Sequence, residues 1–188
     1  MSANTRIKFL IALAVLTVVQ LPALRLSAGS QPLSRAAAES DRARLNDEYA
    51  KLPMSFESNQ GQSDSSVKFV SHGRGYEVFL KSTEAMLVFS KTREAKRIET
   101  VVRMQLLGAN RLSEIKGVDE LPGKANYFIG GDPSKWRTNI PTYAKVRYGS
   151  IYPGIDLTYY GSGPRPEYDF DVSPGADPGA PLIRVALN

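Results

Sequence analysis

Few residues in this chain could do chemistry. His72 is the only histidine and there is no cysteine among the 188 residues, so thiol nucleophiles and thiolate metal sites are excluded from the outset. A Ser–His–carboxylate constellation would have to run through His72, which follows Ser71 and precedes Gly73-Arg-Gly75. No Gly-x-Ser-x-Gly elbow surrounds any serine. A general base must first be placed by geometry, and a Gly-flanked histidine reads as a turn residue. Gly73-Arg-Gly75 also lacks the third glycine and the following helix of a dinucleotide fingerprint. Glu167, Asp169 and Asp171 recur with period two, which sets three carboxylates along one strand face at roughly 7 Å intervals. A calcium ion takes six to eight oxygens, but no Asp-rich loop accompanies the row, and a solvated strand face is the reading. The remaining candidate is Trp136 with Asp132, Asn139 and Tyr143. Sugar-binding surfaces set flat rings beside hydrogen-bonding side chains, although the same aromatics also fill β cores. These four are the candidate ligand-binding residues. No catalytic, cofactor-binding or metal-ligating set is expected, and no cofactor.

The elements that must position these residues follow from the pattern of the chain. Arg6 and Lys8 precede an apolar run from Phe9 to Val19, Gln20 and Pro22 break it, and Ser27-Ala28-Gly29 follow. A basic start, a short apolar stretch and a small-residue exit describe a signal peptide over residues 1–28, the alternative being an uncleaved anchor. Residues 29–52 read as a partly helical linker, with Leu45, Tyr49 and Leu52 at helical spacing and Pro53 as the stop. With the leader's three bases removed, 21 basic residues face 19 acidic ones. That balance gives no reason to expect nucleic acid or an anionic membrane as partner.

After Pro53, runs of Val, Ile, Phe and Tyr alternate with Gly, Pro, Asn and Asp, the signature of successive strands and turns. Val102, Met104 and Leu106 alternate with Arg103 and Gln105, and Tyr168, Phe170 and Val172 alternate with Glu167, Asp169 and Asp171. The first-named of each set are expected in the core and the others, Asp169 included, outside it. Lys91 to Arg97 reads as a polar loop. About nine or ten short strands predict an all-β domain over 53–188, an antiparallel β-sandwich or barrel.

Particular strings resemble a known family. Leu52-Pro-Met-Ser-Phe-Glu-Ser-Asn-Gln-Gly-Gln62, Leu121-Pro-Gly-Lys-Ala-Asn-Tyr-Phe-Ile-Gly130, Asp132-Pro-Ser-Lys-Trp136, Asn139-Ile-Pro-Thr-Tyr143, Tyr152-Pro-Gly-Ile-Asp-Leu157 and Glu167-Tyr-Asp-Phe170 resemble, in order and spacing, the N-terminal domain of unknown function in secreted bacterial proteins with SBBP-type β-propeller repeats. The resemblance implies export to the cell surface or medium, with the periplasm as the alternative. Downstream repeats or surface proteins would be the partners. It also implies that relatives continue beyond the strand Leu182 to Leu187, so a domain left incomplete at its C-terminus is one expectation. The function expected is a non-enzymatic structural or interaction module. A carbohydrate-binding module using Trp136 and nearby tyrosines is the alternative, and a cryptic hydrolase with two carboxylates is the third reading.

Export has a direct check. Mass spectrometry of the secreted protein should find a new N-terminus between Ser27 and Gln31, and a full-length, membrane-embedded product would contradict the leader.

Overall fold

The computed structural model describes residues 5–10, 54–73, 75–93, 96–163 and 165–187, with the side chains of 5–10 and 92–96 left aside. The apolar run beyond Leu10, the cleavage point and the helical linker lie outside the described residues. In chain order the strands are β1 (Thr5–Leu10), β2 (Phe56–Ser58), β3 (Val67–Gly73), β4 (Tyr76–Lys81), β5 (Glu84–Arg93), β6 (Lys96–Leu107), β7 (Glu114–Tyr127), β8 (Arg137–Tyr152), β9 (Ile155–Ser162), β10 (Arg165–Val172) and β11 (Leu182–Leu187). One 3-10 turn, Pro133–Lys135, precedes β8. Every pairing is antiparallel. The strands form a single curled sheet in the order β1-β10-β9-β8-β2-β3-β4-β5-β6-β11, with β7 paired to β8 off this path. The all-β antiparallel class is therefore shown, in the form of a half-barrel.

The longest strand is where the sheet divides. Thr142 and Tyr143 of β8 pair with β2, Lys145 to Tyr152 pair with β9, and β7 runs beside β8 from Arg137 to Gly149. Curling brings the concave faces of the two wings together. Phe56, Phe69, Val78, Leu80, Leu87, Val102, Met104 and Leu106 from one wing join Val146, Tyr148, Ile155, Leu157, Tyr159, Tyr168, Phe170 and Val172 from the other in a single core cluster. Two buried tyrosines carry their hydroxyls across it, Tyr148 donating to the Lys81 carbonyl at 2.8 Å and Tyr152 to that of Leu107 at 3.0 Å. Burial pushes the Tyr148 phenol well above its ordinary pKa, with the neighbouring Tyr159 adding to it; a buried hydroxyl needs such a partner. The aromatic enrichment of the second half is thus mostly core packing across β8, β9 and β10, with Tyr148–Tyr159 and Tyr159–Tyr168 centroids at 5.7 and 5.8 Å.

The polar segment from Lys91 to Arg97 falls at the end of the β5–β6 hairpin, with Ser90 opposite Glu99 and Arg93 opposite Lys96. Strand β7 spans fourteen residues, although Gly117, Pro122 and Gly123 interrupt its periodicity, and its register shifts between Glu120 and Lys124. Contrary to the expectation from alternation, Asp169 is buried at 4% exposure, because β10 has neighbours on both sides, β9 and β1, and because the Tyr160 hydroxyl donates to it at 3.0 Å. The expected core positions Val102, Met104, Leu106, Tyr168, Phe170 and Val172 are all buried, and Arg103 and Gln105 are only half-buried.

Candidate functional site

The link between β7 and β8 carries the predicted ligand residues. Gly130, at φ 72, reverses the chain. Asp132 then caps the 3-10 turn, accepting from the Ser134 backbone N–H at 3.0 Å and from its hydroxyl at 2.8 Å. Pro133 suits the first position of such a turn, where no donor is needed. Trp136 closes the link: its indole N–H donates to the Gly130 carbonyl at 3.2 Å, and its ring meets Phe128 edge to face at 5.2 Å and 89°. Phe128 and Ile129 are 63% and 61% exposed and Trp136 37%. The tip is therefore apolar, and it is fixed to the body by Arg137, whose guanidinium donates to the carbonyls of Gln60, Ser134 and Trp136.

The four predicted residues are only partly brought together. Asp132 and Trp136 share the tip, with Asp132 occupied in its own turn. Asn139 lies just inside β8 at φ 58, a conformation asparagine tolerates better than most residues, and its backbone N–H donates to the Asn126 side-chain oxygen at 2.9 Å. Tyr143 is elsewhere. Its half-buried ring packs edge-on against Phe69 at 6.0 Å and covers Gly117, where a Cβ would stand 2.3 Å from the ring. Tyr143 thus clamps β7 to the core and adds no face to the tip.

A second polar constellation was not legible as such. The Tyr127 hydroxyl, at the end of β7, donates to Glu57 of β2 at 2.5 Å. His72 of β3 faces that hydroxyl through Nε2 at 2.8 Å and Glu77 of β4 through Nδ1 at 3.0 Å. Tyr127 has one hydroxyl proton and gives it to Glu57, so the facing nitrogen of His72 is the donor of the second bond. Burial, with Glu57 and Glu77 beside it, pushes the Tyr127 phenol far above its ordinary pKa, so it acts as a neutral donor. His72 lies in a strand, not in the turn expected from Gly73 and Gly75; Ser71 is buried on the opposite face, since successive strand residues alternate. The two cannot form a nucleophile–base pair. His72 alone was the signal for this cluster; its partners lie 5, 15 and 55 positions away in sequence, at Glu77, Glu57 and Tyr127, and only the strand pairing brings them together.

On the convex face a groove of about 530 Å³ is lined by Lys145, Arg147, Asp156, Thr158 and Asp171, with Val118 and Ser173 at its margins. Its charges are already matched within the sheet: Lys145 with Asp119 at 2.7 Å and Arg147 with Asp156. Burial alone would raise the Asp156 carboxyl, but the Ser150 N–H and the Arg147 guanidinium hold it below its ordinary value. Among the described residues no group of three histidine or carboxylate side chains could hold a metal ion, so the row Glu167, Asp169, Asp171 forms no such centre.

The family model described as a domain of unknown function (DUF7948) matches residues 56–186. No curated protein and no solved structure matches the chain.

The Glu57–Tyr127–His72 cluster ties three-residue β2 to β3, β4 and β7, so its loss should register as stability. Tyr127→Phe should cost about 1–2 kcal/mol, because it strips a half-buried carboxylate of its donor. The change should appear as a lower urea midpoint at unchanged slope, and a variant within 0.5 kcal/mol of the parent would show that the cluster bears no load.

Proposed function

The chain belongs to the family of this domain of unknown function, and on that footing we propose that it is a non-enzymatic structural and interaction module of an exported bacterial protein. Its work is to pack against the modules that accompany it, which in the proteins it resembles are SBBP-type repeats at the cell surface. The observation that carries this reading is β11. The strand pairs with β6 along one side, Leu182 opposite Leu107 through Leu187 opposite Val102, and no strand among the described residues takes its other side. Leu182 and Val185 are 60% and 61% exposed. Val185 stands opposite buried Met104, so it continues the concave apolar face outward past the point where the core ends. An edge that offers both backbone donors and apolar side chains favours the addition of further structure.

The sugar-binding alternative rests on the exposed Phe128 and Trp136 rings. Their 89° angle offers one ring face and one edge rather than two parallel stacking faces. Trp136 is the sole tryptophan, so its fluorescence would respond directly to a bound glycan.

The interaction reading predicts self-association of the isolated chain through β11. Static light scattering over a concentration series should show mass rising with concentration, and Leu182→Lys with Val185→Lys should return the protein to a monomer, as edge lysines do in natural sheets. A parent chain that stays monomeric throughout would count against β11 as a docking edge.

A further inference from the structure

We propose that the outer edge of β10 is a strand-acceptor site for an extended segment that alternates basic and apolar residues. This edge lies at the other end of the sheet from β11, so the inference stands apart from the reading just given. Strand β10 divides its side chains cleanly. Tyr168, Phe170 and Val172 are buried on the concave side, and Glu167, Asp169 and Asp171 alternate with them. A carboxylate at 4% exposure, as Asp169 is, is costly beside a sheet margin unless hydrogen bonds and opposite charge compensate it. The Tyr160 hydroxyl supplies one hydrogen bond.

The sequence of the segment seated on this edge alternates in step with β10, position by position. In the β1–β10 register, Lys8 stands opposite Asp169 and Arg6 opposite Asp171, while Ile7 stands opposite Phe170 and Phe9 opposite Tyr168. In this register the basic positions of the segment fall opposite the acidic row and the apolar positions opposite Tyr168 and Phe170. A slip of one residue would set each base against an aromatic position and each apolar residue against a carboxylate. The alternation therefore specifies both the occupant and its register.

Thr5–Leu10 lies within the stretch whose basic start and apolar run read as a removable leader. On that reading the leader holds the edge in the precursor, and its removal opens the same edge to a segment of the same alternation from elsewhere. The acceptor chemistry itself does not depend on cleavage, because it resides in β10.

The test uses the full chain, whose lack of cysteine leaves any introduced pair as the only disulfide. Arg6→Cys with Asp171→Cys, an in-register pair, should oxidise readily; Ile7→Cys with Asp171→Cys, one step out of register, should not. Equal cross-linking of the two, or none in the first, overturns the proposal. A fluorescent peptide of residues 4–11 should then bind a full chain whose edge is vacated by Ile7→Asp and Phe9→Asp. It should bind at least about tenfold more tightly than a peptide of the same composition with basic and apolar positions exchanged, since exchange inverts every side chain. The oxidised R6C/D171C chain should not bind it. Equal affinity for the two peptides, or binding to the locked chain, contradicts the site. Should the vacated variant fail to fold, the cross-linking pair decides alone.

Discussion

An antiparallel sheet that curls without closing has to solve two problems at once: it must bury a concave face against itself, and it must leave two edges somewhere. Strand β8 makes the first solution possible. By serving β2 with one stretch and β9 with the next, it lets the sheet divide into two wings whose inner faces meet. The tyrosines then fix the spacing between the wings. Tyr148 and Tyr152 each reach from β8 to a backbone carbonyl on the opposite wing, and a buried hydroxyl without that partner would cost about 1–3 kcal/mol. The core is therefore keyed as well as greasy, since the wings can slide past each other only by breaking both bonds.

Local devices serve that arrangement. The register of β8 and β9 shifts between Tyr148 and Tyr152, and Asp156 pins the irregular stretch by accepting from the Ser150 N–H at 2.6 Å while pairing with Arg147. Pro153 and Gly154, the latter at φ 70, complete the reversal; a Cβ on Gly154 would meet Ala176 at 2.8 Å. Tyr143 over Gly117 and Tyr76 over Gly73 use the same economy: an aromatic ring lies across a glycine on a neighbouring strand or on the same hairpin and fills the space its missing side chain leaves. Asn59 organises the loop after β2. The Asn59 amide donates to the carbonyls of Asp64 and Val67 at 2.8 and 2.9 Å, and its oxygen accepts from Gly61 and Ser63.

How far the sequence revealed this depends on which face a residue occupies. Where one face is buried and the other wet, alternation was legible, and Val102 to Leu106 and Tyr168 to Val172 point as their pattern requires. It failed where both faces share one environment. Strand β7, exposed along most of its length and interrupted by Gly117, Pro122 and Gly123, shows no such alternation. Asp169 was misjudged because its burial depends on β1 and Tyr160, and neither can be inferred from the alternation of β10. At the tip, Trp136 and Asp132 share one turn, whereas Tyr143, near them in sequence, stands apart, because a strand carries the chain away at about 3.3 Å per residue. The His72 cluster was hidden because its members come from four strands.

The account depends on a sheet with a protected centre at β8 and an open side at β11, and native-state hydrogen exchange reads both. Amides of β8 around Val146 and Tyr148 should be among the slowest to exchange. Along Leu182–Leu187, protection should alternate, slow where the N–H bonds to β6 and fast where it faces outward. Equal protection of all six amides in β11 would mean that its outer side is already covered, and would contradict an open docking edge.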